Sequence, residues 1–211
     1  MLKILLVGFD NAPGSERNSA WDFVSCAADF CDEERFVQSV KLPLLWDGSF
    51  QALVPTILQG WDSAILFGNA PHTSIAIERL ALNESDVSLK DAAGRRPKSK
   101  TVIAGDEPGY WTDIPYRDLT INLTESGVPA FASHHAGGFV ANHVFYQMMH
   151  WIQRDHPGMM GGLIQIPENF AISGDLKKRA LSCILDTVAG TVEESSALSF
   201  DISKLRRASQ I

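Results

Sequence analysis

Cysteine is scarce in this chain, with three in 211 residues, at positions 26, 31 and 183, and no Cys-x-x-Cys pair among them. That pattern excludes a disulfide framework and a thiolate zinc site, and it suits reduced, packed thiols in a cytoplasmic protein. No apolar run approaches the ~20 residues of a membrane-spanning helix. The opening run, residues 1–8, is too short for a signal peptide, so no membrane association is expected. Basic charge is also in short supply: Lys and Arg number 18 against 25 Asp and Glu, a net charge of −7. An acidic balance argues against nucleic acid or an anionic membrane as the main partner. The glycine-bearing loop after the first apolar run lacks both Gly-x-Gly-x-x-Gly spacing and a following Lys-Ser/Thr, so it is a poor nucleotide cradle. No His-x-x-x-His occurs either, and neither a metal nor a cofactor is expected.

What is present reads as one α/β unit. Residues 4–7 form a short apolar run ending at Gly8, which suits a buried parallel strand. Residues 36–42, 64–67, 130–132 and 160–166 read as further strands. Trp21, Val24, Ala28 and Cys31 fall at helical spacing. Helices are expected over 50–58 (broken by Pro55), 119–125, 142–153 and 176–192, the third presenting Val144, Met148 and Trp151 on one face. Residues 84–100 are polar and read as an exposed loop. Strands alternating with helices imply a three-layer α/β/α architecture around a mostly parallel twisted sheet. The chain length suits a single domain, taken as 1–192, with a polar tail over 193–211. Sites in such sheets lie beyond the C-terminal ends of the strands, where Phe9, Asn69, Ser133 to Ala141 and Gln165 would gather.

Ser133-His-His-Ala-Gly-Gly-Phe-Val-Ala-Asn-His-Val-Phe-Tyr146 reads as strand, glycine turn and helix. A residue at such a junction sits beside free backbone N–H groups and the positive end of the helix dipole, where a cysteine would be held partly as thiolate. The stretch resembles the active-site region of the pyroglutamyl peptidase I family (pyrrolidone-carboxylate peptidases), cysteine enzymes that remove an N-terminal pyroglutamate. Ser133, Ala136, Gly137, Phe139, Val140, Asn142, His143 and Tyr146 match its pattern. Gly8-Phe9-Asp10 with Asn18, Leu42-Pro43, Gly68-Asn69-Ala70, Glu78-Arg79-Leu80-Ala81-Leu82-Asn83 and Gly127-Val128-Pro129-Ala130 follow in the family's order. The resemblance spans roughly residues 2–167 and implies a pyroglutamyl peptidase I-like fold.

It also implies a cysteine, a histidine and a glutamate as the catalytic group. Glu78 stands at the glutamate position, Ala141 at the cysteine position and Gln165 at the histidine position. An alanine cannot attack a carbonyl, and a glutamine cannot take a proton at neutral pH. The resemblance therefore points to a diverged member without peptidase activity. A second phenylalanine of the family's opening motif appears here as Ala12. The ligand cleft is expected to comprise Phe9, Asn69, Ala70, Phe139, Ala141 and Gln165. The first functional expectation is an accessory or regulatory protein binding a peptide terminus or a small lactam-like ligand. The alternative is a repurposed cyclase or hydrolase of a modified peptide or specialised metabolite, with Glu78 and His134 or His135 as acid and base. A third is a scaffold working through its surface as a homodimer or homotetramer, or with a partner protein. Adjacent strand residues point to opposite faces, so His134, His135 and Glu78 are a poor metal set.

Overall fold

The computed structural model describes residues 1–168 and 173–208, with side chains through Ser195 and at Ala197. In chain order the strands are β1 (Leu2–Phe9), β2 (Arg35–Leu42), β3 (Ser63–Ala70), β4 (Ile75–Glu78), β5 (Leu80–Leu82), β6 (Gly109–Trp111), β7 (Ala130–Ser133) and β8 (Met160–Pro167). The α-helices are α1 (Ser19–Val24), α2 (Ser49–Ile57), α3 (Tyr116–Glu125), α4 (Val140–Asp155) and α5 (Gly174–Ala208). Six strands form one sheet in the order β2-β1-β3-β8-β4-β7, and β5 pairs with β6 in a small antiparallel ribbon. All neighbours in the large sheet are parallel except β4 and β8. The exception follows from chain length. Only residues 71–74 join β3 to β4, too few for the crossover that a parallel return requires. The chain therefore comes back antiparallel, leaving room for β8 to enter between them.

The central strands are apolar on both faces, as a covered sheet requires. Ile4, Leu6, Ile65, Phe67, Ile77 and Ile164 pack toward α1, α3 and α5 with Phe23, Leu119, Leu123, Leu181 and Ile184. Leu5, Val7, Leu66 and Leu163 pack the other way, against Leu53 of α2 and Val144, Phe145 and Met148 of α4. This is the three-layer arrangement with a mostly parallel sheet expected from the periodicity.

Several local expectations are corrected. The first helix stops at Val24, and a separate 3-10 turn covers Ala27–Phe30. Cys31 lies beyond it and is exposed rather than packed, its thiol bonded to the Val37 backbone. Pro55 does not break α2: it sits within the helix two residues before its end, where one missing N–H costs little cooperative structure. The last helix does not stop at Val192 but runs to Ala208; residues 193–208 contain neither Gly nor Pro, the two strongest breakers. The final three residues of the tail lie outside the described residues. No helix among the described residues is long and apolar enough to cross a membrane.

Candidate active site

A cavity of about 360 Å³ opens at the C-terminal ends of β1 and β3. Its wall includes Phe9 from β1, Leu44 after β2, Gly68 and Asn69 from β3, and Phe139 and Ala141 at the start of α4. Ala12, Ser15, Arg17 and Asn18 of the β1–α1 loop and Glu168 after β8 complete it. The volume suits a small ligand.

Local hydrogen bonding explains how these elements converge. Asn18 caps α1 by accepting the Trp21 N–H at 2.9 Å and ties the loop shut by donating to the Asp10 carbonyl at 3.1 Å. Asn69 accepts the Ala20 N–H at 2.8 Å, fastening α1 to the end of β3. The turn into α4 needs its glycines. Gly137 has φ +74°, and a Cβ on Gly138 would lie 3.0 Å from the Asp86 amide nitrogen. Asn142 then staples α4 to β5, accepting from Leu82 N–H at 3.0 Å and donating to the Leu82 and Glu84 carbonyls. His143 is a core residue: Nδ1 lies 3.0 Å from Ser85 Oγ, and the ring meets Trp46 edge-on. Burial holds its pKa below the usual histidine range, with Asp47 opposing.

The positions named by the family pattern share one face of the sheet. Gln165 pairs with Gly68 on one side and Ala76 on the other. Glu78, two residues past Ala76, lies on the same face, across from Leu163 and Ser133. Ala141 covers this rung so closely that a Cβ on Gly68 would sit 3.1 Å from its methyl. Gln165 is buried, and its Nε2 donates to the Ala136 carbonyl at 2.9 Å, bracing the turn before α4. Glu78 is fully buried, and neither carboxyl oxygen has a hydrogen-bond partner. Burial pushes its pKa up to about 7, and the Ser133 hydroxyl opposes the shift without reaching full bonding geometry.

His134 and His135 lie elsewhere. Both are exposed, and neither lines the cavity. His134 Nδ1 is 2.9 Å from Arg79 Nη1. His135 Nδ1 accepts the Gly137 N–H at 3.1 Å. Neither imidazole hydrogen-bonds Glu78, so the three expected acid–base residues do not form a connected set. Of the expected ligand-contacting residues, Phe9, Asn69, Phe139 and Ala141 line the cavity, whereas Ala70 and Gln165 are buried behind it. Sequence reasoning missed Leu44, Ser15, Arg17 and Glu168. Leu44 could have been found from its place just after a strand end; the other three sit on irregular backbone that carries no periodic signal. Among the described residues no group of three or more His, Cys, Asp or Glu could hold a metal ion.

The fold is that of an α/β protein with a mostly parallel sheet and a cavity at the carboxyl ends of its strands. The family model described as pyroglutamyl peptidase matches residues 2–194, and the chain belongs to that family. It is 32% identical over 188 residues to a pyrrolidone-carboxylate peptidase of Bacillus velezensis, covering 88% of this chain and 86% of the relative. A Bacillus thuringiensis pyrrolidone-carboxylate peptidase is 30% identical, with 97% and 98% covered. The crystal structure of the Bacillus amyloliquefaciens pyroglutamyl peptidase I superposes with a TM-score of 0.82 at 31% identity, over 89% of this chain and 95% of that one.

Proposed function

We propose that this chain is a non-peptidase member of the pyroglutamyl peptidase family that binds a peptide terminus or small lactam-like ligand as an accessory or regulatory protein. The observation that carries the reading is Ala141. It stands where the family pattern has its cysteine, and its methyl lines the cavity beside Phe9, Asn69 and Phe139. A methyl group neither attacks a carbonyl nor holds a proton. Gln165, at the position of the base, spends its amide on the Ala136 carbonyl, which supports a structural rather than proton-transferring role. Loss of such a unit costs on the order of a million-fold in turnover in a well-studied serine protease. Three cysteines without disulfides suit a cytoplasmic setting. Assembly as a homodimer or homotetramer, or with a partner protein, belongs to the same reading.

A pyroglutamyl dipeptide serves as probe. The purified chain is expected to bind it, raising the thermal midpoint, without releasing 5-oxoproline. Release at a rate comparable to an active peptidase would overturn the reading.

Glu78 favours a second reading, a repurposed cyclase or hydrolase, because a carboxyl with a pKa about 7 is poised for proton transfer. Against it, His134 and His135 are exposed and held by Arg79 and Gly137. Replacing Glu78 and His135 separately in the native pathway distinguishes the two: loss of product with ligand binding intact would sink the binding-only reading.

A further inference from the structure

Two arginines and two aromatic rings stack beside the end of β4. Arg79 follows β4, and its guanidinium carbon lies 5.3 Å from the Trp111 ring centre and 4.8 Å from that of Tyr116. Arg117 extends the stack, 5.7 Å from the Tyr116 ring, with Nε donating to the Tyr116 hydroxyl at 3.1 Å. His134 flanks Arg79 at 2.9 Å. Trp111 is 60% exposed, and Arg117 and His134 are exposed as well. Neither arginine pairs with a carboxylate among the described residues, although acids outnumber bases 25 to 18. The hydrogen bond from Arg117, with the charges of both guanidiniums, holds the Tyr116 phenol below its usual range.

An open strand edge adjoins this stack. β7 is the last strand of the sheet. Ile75 N–H donates to the Pro129 carbonyl and Arg79 N–H to the Ser133 carbonyl. By alternation Phe131 also turns its backbone toward β4, while Ala130 and Ala132 turn theirs to the free edge. Phe131 itself is 38% exposed. None of these residues lines the Ala141 cavity.

We propose that this face docks an extended acidic segment of a partner protein. Backbone groups of the segment would add to the β7 edge, and its carboxylates would take the unpaired guanidiniums, which the flanking rings hold in place. Charge complementarity selects this occupant. Two unpaired arginines suit one or two carboxylates, whereas a long polyanion such as RNA would meet the repulsion of a −7 protein.

The test uses the full chain with a labelled peptide of alternating Glu and Val, and a Lys–Val counterpart as control, read by fluorescence anisotropy. The Glu peptide is expected to bind, to weaken as salt rises, and to lose about tenfold or more in affinity with Arg117→Gln or Trp111→Ala. Both substitutions are at exposed positions, and thermal melts establish that the variants remain folded. Equal binding of the Lys peptide, or unchanged affinity in both variants, would overturn the proposal. So would sedimentation showing an oligomer that both variants dissociate, with no peptide bound, since a second copy would then be the occupant.

Discussion

Asp91 is 2% exposed, and its carboxylate accepts three backbone N–H bonds, from Trp46 at 3.2 Å, Ala93 at 3.0 Å and Arg95 at 2.8 Å. Glu78 is fully buried and accepts none. The first acid organises a loop: its oxygens close the turn over residues 91–95 and anchor Trp46, which packs edge-on against Phe139 beside the cavity. The second organises nothing. A buried carboxyl without partners stays neutral or costs stability when it ionises. Glu78 lies on the same sheet face as Gln165, across from Leu163 and Ser133. Burial alone does not define an acid's role; the number of donors aimed at it does.

The largest effect expected from this contrast is chemical. The double variant Ala141→Cys with Gln165→His should release 5-oxoproline from a fluorogenic pyroglutamyl substrate at least ~1000-fold faster than the unaltered chain, because members of a catalytic unit act together. Each single variant should stay at background. Activity in either one alone would show that Glu78 does not need both partners.

The next effect is a pH dependence of stability. Glu78 sits at about 7 in the folded protein against a usual 4.5. Between those values the folded state holds more protons than the unfolded chain, so stability falls as pH rises from about 4.5 to about 7 and then levels. At ~1.4 kcal/mol per pH unit the loss approaches about 3 kcal/mol. Glu78→Gln should remove this part of the slope, leaving the smaller contribution of Asp113, whose carboxyl burial pushes up to about 6, and leave the protein more stable at pH 8, measured by urea unfolding across the range. A variant with an unchanged slope would show that another group causes it.

Asp91→Ala should act in the opposite direction, destabilising by about 2 kcal/mol through the loss of three accepted hydrogen bonds. The smallest effect belongs to the turn into α4. Gly137→Ala forces a side chain into a left-handed backbone at φ +74° and should cost about 1 kcal/mol in denaturant melts. A larger loss with weakened dipeptide binding would tie that turn to the cavity as well as to the fold.

Much of this architecture was legible in the residues. The runs at 4–7, 64–67 and 160–166 are apolar without interruption, and each is a buried strand because both sheet faces are covered. Ala141 fell at the strand–turn–helix junction expected of it. β4 escaped notice because Ile75-Ala-Ile-Glu78 is only four residues long and no hydrophobic period distinguishes it from a loop. Its antiparallel direction was equally hidden, being set by a partner, β8, some ninety residues away in sequence. The histidine pair showed the opposite failure. Two titratable groups a few residues before Ala141 read as a candidate acid–base pair, but Arg79 and the Gly137 amide engage them at the surface.

The amino-acid sequence by itself determined the alternation of strands and helices, the place of the cleft at the strand ends, and the chemical identity of Ala141 and Gln165, because these are local properties of adjacent residues. Only the tertiary structure decided that Glu78 is left without a donor, that His134 and His135 stand apart from it, and that Arg79, Trp111, Tyr116 and Arg117 stack on one face. Each of those outcomes depends on which side chains meet across strands and loops, and contacts between distant segments leave no period in the chain that makes them.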